Sequence, residues 1–185
     1  MKVFLPLLGF CLLVSSCGIF VPFNTERPDD RRTTTTRTPR TPRPAPTTTG
    51  SDRADRTTHI RADITAHADE LLGLRYKFGG NNPRQGFDCS GFVLYLYQNA
   101  GVDIERVSRE QAKQGRKIDP KKARPGDLVF FRRSGQPVHH VSVIKEADAN
   151  RLVVIHATNS GVIEEDIMRS RYWKPLLYQV RNVLD

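Results

Sequence analysis

A cysteine at position 89 sits in the run Phe87-Asp88-Cys89-Ser90-Gly91-Phe92, just ahead of an apolar stretch with helical spacing. Such a residue can act as a nucleophile, provided that a neighbouring base takes its proton. A helix N-terminus helps, because unpaired amides and the helix dipole favour negative charge. Asp88 works against it, since an adjacent carboxylate disfavours thiolate, and a histidine ion pair has to outweigh that effect. The simpler alternative is a thiol retained as a small buried apolar residue. The chain has five histidines. His59 stands at the edge of a linker and His67 on the first helical segment, whereas His139, His140 and His156 fall in strand-like runs. Adjacent strand residues point to opposite faces, so only one of His139 and His140 can face Cys89. The face of His140 carries Ser142, whose small size leaves room for a substrate or a helix. The face of His139 carries Val141 and Val143 and reads as packing. His156 closes the next strand-like run. The resulting arrangement has Cys89 as nucleophile, His140 as base and His156 as the residue that orients it. A zinc site built from the same three side chains is the alternative, but no CxxC or HxxxH pair accompanies them. No cofactor is called for.

These residues need elements to hold them. Residues 61–72 are amphipathic at helical spacing, with Ile64, Ala68, Leu71 and Leu72 on one side and Gly73 as the stop. A second helix is expected over 89–100, with Phe92, Val93, Leu96 and Tyr97 as its apolar stripe and Gly101 as its end. A short third helix begins at Ser108, read as its cap. After Pro125-Gly126 the pattern changes to strands at 128–132, 138–146, 152–156, 162–166 and 178–183. Helices followed by antiparallel strands indicate an α+β domain with the helices packed on one side of a sheet.

Ahead of that domain the chain changes character twice. Lys2, the apolar run 3–14 and the small residues Ser15 and Ser16 form a secretory signal, too short to span a bilayer. Val14-Ser15-Ser16-Cys17 resembles a bacterial lipobox. That resemblance implies cleavage before Cys17 and lipidation of Cys17, and several acyl chains give a stable anchor. Gly18 is compatible with sorting to the outer membrane, facing the periplasm. On this reading 1–16 is signal, 17–58 is a lipidated cysteine with a Thr/Pro/Arg-rich linker, and 59–185 is the folded domain. Cys11 is then discarded, and Cys89 is the only free thiol of the mature chain. Runs such as Thr33-Thr34-Thr35-Thr36 and Thr38-Pro39-Arg40-Thr41-Pro42 have almost nothing to bury, which predicts disorder. Fully stretched, such a spacer reaches on the order of 100 Å.

The formal charge is +9, and residues 59–185 carry 20 basic against 15 acidic residues. A basic surface suits an anionic partner. No nucleic-acid module is visible, so a wall polymer or lipid head group is preferred, and the domain is expected to act as a monomer.

Five motifs recur in order: Tyr76-Lys77-Phe78-Gly79-Gly80, Phe87-Asp88-Cys89-Ser90-Gly91-Phe92-Val93, Gly126-Asp127-Leu128-Val129-Phe130-Phe131, His140-Val141-Ser142-Val143 and Ile155-His156-Ala157. In that order they resemble the NlpC/P60 family of bacterial cell-wall cysteine peptidases, in particular its outer-membrane lipoprotein endopeptidases. The resemblance covers about residue 59 to the C-terminus. It implies a papain-like α+β fold, with Cys89, His140 and His156 matching the nucleophile, base and third polar residue. It further implies that Tyr76 and the Cys89 amide form the oxyanion site, and that Asp88 and Ser90 contact the substrate peptide. The expected substrate is a peptidoglycan stem peptide or cross-link, cut next to diaminopimelate. Ser142 departs from the family pattern, where glycine is usual, and the turn at 146–151 is longer. Two other functions are kept beside this one: a catalytically silent wall-binding lipoprotein, and thiol-dependent acyl transfer or lipid hydrolysis.

Overall fold

A computed structural model describes residues 50–185, so the signal, Cys11, Cys17 and the spacer up to residue 49 lie outside the described residues. The first helix, α1 (Gly50–Glu70), begins inside the stretch read as linker. Residues 50–58 are helical although only Thr57 among them is even half-buried. A nucleated helix extends through polar residues because each adds a hydrogen bond without a new nucleation cost. No apolar period marks that extension in the sequence. Further along, Ile64, Ala68 and Leu71 are buried as the spacing requires, while Leu72 is 40% exposed. Gly73, at a φ of 82°, turns the chain away, and its amide bonds to the Val162 carbonyl at 2.8 Å.

A two-residue hairpin, β1 (Asn81–Asn82) with β2 (Gly86–Phe87), leads directly into α2 (Cys89–Asn99). The short α3 (Ser108–Gln111) follows. Its cap position is Val107 rather than Ser108, which is buried as the first helical residue. The remaining chain builds a sheet from β3 (Arg116–Ile118), β4 (Leu128–Phe131), β5 (His140–Ala147), β6 (Leu152–Thr158), β7 (Gly161–Asp166) and β8 (Leu177–Asn182). The strand order is β3-β8-β4-β5-β6-β7, and every neighbouring pair is antiparallel. The five expected strands are present within two residues of their predicted ends, and the three-residue β3 is an addition. The domain is α+β.

Both faces of this sheet are covered. On one, Leu128, Phe130, Val141, Val143, Ile155 and Ala157 pack with the apolar stripe of α2. On the other, Val129, Phe131, Ile144, Val154 and Val180 are roofed by Ile167, Trp173 and Leu176 from the chain between β7 and β8. Double coverage explains why β4 reads Leu-Val-Phe-Phe, buried throughout, instead of alternating. The register pairs Phe131 with His140 and Val143 with Ile155. Continuing it one step places Ser142 across from His156, on the face opposite α2.

One buried ion pair ties α1 to the sheet. Arg61, 7% exposed, donates to Asp127 Oδ1 at 2.8 Å, to the Pro125 carbonyl at 2.8 Å and to Asn182 Oδ1 at 3.2 Å. Burial pushes the Asp127 carboxyl up even though Arg61 and Arg124 draw it down. Removing the guanidinium would therefore strand a buried carboxylate. Arg61→Ala is expected to lose about 3 kcal/mol of stability at pH 7. Urea unfolding checks this, and the loss should shrink towards pH 4, where the stranded carboxyl can take up a proton.

Candidate active site

The site begins with how α2 starts. Asp88 stands in extended geometry (φ −89°, ψ 173°), and its Oδ1 accepts the Gly91 amide at 2.6 Å, a side-chain cap. Its Oδ2 accepts the Gly79 amide at 2.9 Å. Arg106 then grips both oxygens, at 3.0 and 2.7 Å, and donates to Ser90 Oγ at 3.0 Å. Burial opposes ionisation of Asp88, but Arg106 and the Gly91 and Gly79 amides hold its carboxyl below the usual carboxylate range. The Asp88 amide bonds to the Gly80 carbonyl at 3.0 Å, and a Cβ on Gly91 would lie 2.1 Å from that same carbonyl oxygen. Only glycine lets the helix start this close to the loop. The structure thus gives Asp88 and Ser90 internal partners and makes them a positioning unit for α2. Buried Gln111 completes it, with Nε2 donating to the Ser90 carbonyl at 3.0 Å and to the Glu105 carbonyl at 2.7 Å.

Cys89 follows as the first residue of α2, half-buried and in the reduced form. Burial pushes its thiol up, and the Asp88 charge adds to that. The backbone amides of Val141, Ser90 and Cys89 itself pull the other way. The Val141 contact brings the thiol to the beginning of β5, one peptide from His140. His139, by contrast, is exposed.

His140, 6% exposed, is the first residue of β5. Its ring stacks on Trp173 with centroids 4.3 Å apart and planes at 25°, and Phe131 closes in at 5.6 Å. Its Nε2 lies 3.0 Å from Nδ1 of fully buried His156. Ser142 Oγ lies 3.0 Å from that same Nδ1. The expected space beside Ser142 is therefore absent, because its hydroxyl belongs to the histidine pair. The helix packs instead on the Val141/Val143 face. Burial, helped by His156 and His139, drives His140 well below its ordinary value, and burial lowers His156 to about 4. Both rings are neutral at pH 7. A neutral imidazole has one N–H and one lone pair, and with Nε2 committed to His156, Nδ1 of His140 is the nitrogen left for the thiol. Burial thus favours an uncharged thiol and uncharged imidazoles over the expected ion pair.

Tyr76 half-buries its ring against the same apolar cluster as Cys89. Burial, then the Cys89 and Asp88 charges, push its phenol up, so it remains a hydrogen-bond donor. A cleft of about 450 Å³ opens beside it, lined by Lys77, Phe78 and Gly79 among others. Phe78 is 86% exposed at that rim.

Sequence reasoning singled out Cys89, His140, His156 and Tyr76, but not Arg106, which holds Asp88, Trp173, which stacks on His140, or Glu165, whose Oε2 lies 3.6 Å from His156 Nε2. Trp173 is the only tryptophan of the chain, which was a signal available to be used. Arg106 and Glu165 lie in a charged loop and a charged strand edge, where nothing set them apart. Arg106→Gln would leave the Asp88 carboxylate beside Cys89 with only amides to offset it. Because the pair is partly exposed, the expected loss is about 1–2 kcal/mol at pH 7. Asp88 titrates below its unfolded value, so the difference from wild type is full above that value. It should fade in thermal melts as the pH falls through the acid range.

A family profile described as NlpC/P60 family matches residues 73–182. The "Gamma-DL-glutamyl hydrolase" of Bacillus subtilis (strain 168) is 33% identical over 125 residues, 65% of this chain and 29% of the relative. The "Murein DD-endopeptidase MepS/Murein LD-carboxypeptidase" of Escherichia coli (strain K12) is 33% identical over 130 residues, 70% of this chain and 66% of that protein. The chain thus spans less than a third of the former relative's length and about two thirds of the latter's. Among solved structures, an NlpC/P60 family protein from Bacillus cereus ATCC 10987 superposes with a TM-score of 0.61 at 27% identity, over 68% of this chain and 40% of that one. The NlpC/p60 domain of the peptidoglycan hydrolase SagA gives 0.54 at 31% identity, over 66% and 97%. The profile match covers more than half of the chain, including Cys89 and the His140–His156 pair, and the chain belongs to the NlpC/P60 family.

Proposed function

We propose that this protein is a cysteine peptidase that hydrolyses amide bonds in peptidoglycan stem peptides or cross-links. The observation that carries this reading is the buried His140–His156 contact of 3.0 Å, placed at the beginning of β5 where the Val141 amide meets the Cys89 thiol. The names of the Escherichia coli and Bacillus subtilis relatives, a murein endopeptidase and a glutamyl hydrolase, support the substrate class.

In this mechanism the Cys89 thiol passes its proton to His140 Nδ1 as the sulfur adds to the scissile carbonyl. The Cys89 amide and the Tyr76 hydroxyl donate to the oxyanion, which an ionised phenol could not do. Imidazolium His140 returns the proton to the leaving amine, and the C–N bond breaks to leave a thioester on Cys89. Water, deprotonated by His140, then hydrolyses the thioester and regenerates the thiol. The bond cut lies next to diaminopimelate. Lipidation at Cys17 holds the domain to the outer membrane, facing the periplasm, on a spacer long enough to reach the wall. The domain acts as a monomer.

Two measurements test this. Purified sacculi digested with the wild-type chain should yield new peptide termini by mass spectrometry, and Cys89→Ala should yield none while retaining the wild-type circular-dichroism spectrum. Undiminished muropeptide release by Cys89→Ala would refute the mechanism. For the anchor, Cys17→Ser expressed in a Gram-negative host should move the protein from the membrane pellet to the soluble periplasmic fraction. Continued pelleting would refute it.

A further inference from the structure

His156 is fully buried, and one of its nitrogens is unaccounted for. Its Nδ1 meets His140 and Ser142, but its Nε2 is buried without a hydrogen-bond partner. The Glu165 carboxylate lies close by, with Oε2 3.6 Å from Nε2. The fold places it there. β6 and β7 pair antiparallel with Val154 opposite Glu165 and His156 opposite Ile163. Val154 and His156 share a face, so Glu165 is the diagonal neighbour of His156, within reach of a long side chain. Glu165 makes no other ion pair among the described residues, unlike Glu164, which holds Lys145 at 2.7 Å. The titratable groups facing His156 are His140 from β5 and Glu165 from β7. Ser142 and Trp173 complete its surroundings and carry no charge.

We propose that Glu165 is a positioning residue that sets the tautomer of the histidine pair. A carboxylate only accepts hydrogen bonds, so it favours the tautomer of His156 that carries its proton on Nε2. His156 Nδ1 is then a lone pair, which accepts from His140 Nε2–H. His140 in turn keeps its own lone pair on Nδ1, the nitrogen left for the Cys89 thiol. The opposite arrangement would put a proton on His140 Nδ1 and leave no base for the thiol. One carboxylate at the edge strand thus decides, through two rings, which nitrogen can act as base. Glu165 touches neither thiol nor substrate. This inference deepens the reading of Cys89 and His140 as nucleophile and base and rests on it, but it does not depend on what the substrate is.

The test uses the full chain and a probe independent of peptidoglycan, the rate at which iodoacetamide alkylates Cys89. Glu165→Gln keeps the size of the side chain and removes its charge. At pH 7.5 it is expected to slow alkylation roughly tenfold, the scale of coupling within one hydrogen-bonded network. In a His156→Asn background the same substitution should have no further effect, because Glu165 acts only through His156. Nitrogen-15 spectra of the histidine side chains should report His156 protonated on Nε2 in the wild type, and a shift towards Nδ1 protonation in Glu165→Gln. Wild-type alkylation by Glu165→Gln from pH 6 to 9 would overturn the proposal. So would an equal slowing in the His156→Asn background, or a wild-type His156 protonated on Nδ1. If the tautomer and rates behave as stated but sacculi are not cleaved, the positioning role stands and the substrate assignment fails.

Discussion

Two neutral imidazoles sharing one hydrogen bond under an aromatic roof are the constraint on which the rest of this domain depends. A buried polar group without a partner costs on the order of 1–3 kcal/mol, so His140 and His156 are tolerable in an apolar sheet only if their nitrogens find each other. The register of β5 on β6 brings Ser142 across from His156 and so allows that meeting. Trp173 and Phe131 exclude water from His140 and hold its plane. Desolvation is the main cause that lowers both rings, with His156 and His139 adding to it at His140. A base kept neutral in this way stays available at a pH where an exposed histidine would already be protonated.

The thiol reaches that base through a second, separate device. The start of α2 is fixed by Asp88, whose carboxylate caps the helix, holds the Gly79 loop and is held by Arg106. Asp88 therefore works both ways at Cys89. Its charge raises the thiol, while its hydrogen bonds place the sulfur against the Val141 amide. Arg106 lets both hold at once, because its guanidinium offsets the charge without displacing the cap. The α2 face and the opposite sheet face have separate apolar clusters. Cys89 packs with the first and His140 lies against Phe131 and Trp173 of the second, and the Val141 amide that meets the thiol follows His140 in the chain.

Much of this was legible in the chain. The adjacency of His139 and His140 meant that only one of them turns inward, small Ser142 pointed to the face of His140, and His156 closed the next strand-like run. Helix spacing located α2 and with it Cys89. The misses have physical reasons. The first eleven residues of α1 carry no apolar period, so propagation from a buried segment left no trace in them. β1, β2 and β3 are two or three residues long, below what alternation can reveal. Ser142 was read as space because residue size says nothing about what fills a face. Arg106, Trp173 and Glu165 reach the site from a loop, a strand connection and an edge strand. Their pairing with Asp88, His140 and His156 follows from chain crossings that no local pattern encodes.

The central claim is that the resting site holds a protonated thiol and an uncharged base, with the proton moving only as the sulfur attacks. Thiolate absorbance at 240 nm, followed from pH 4 to 11 in the wild type against Cys89→Ala, measures this directly. The account predicts no Cys89 thiolate at pH 7 and its appearance only above the range of an ordinary cysteine. A full thiolate signal already present at pH 6 would show a resting thiolate–imidazolium pair and contradict the account.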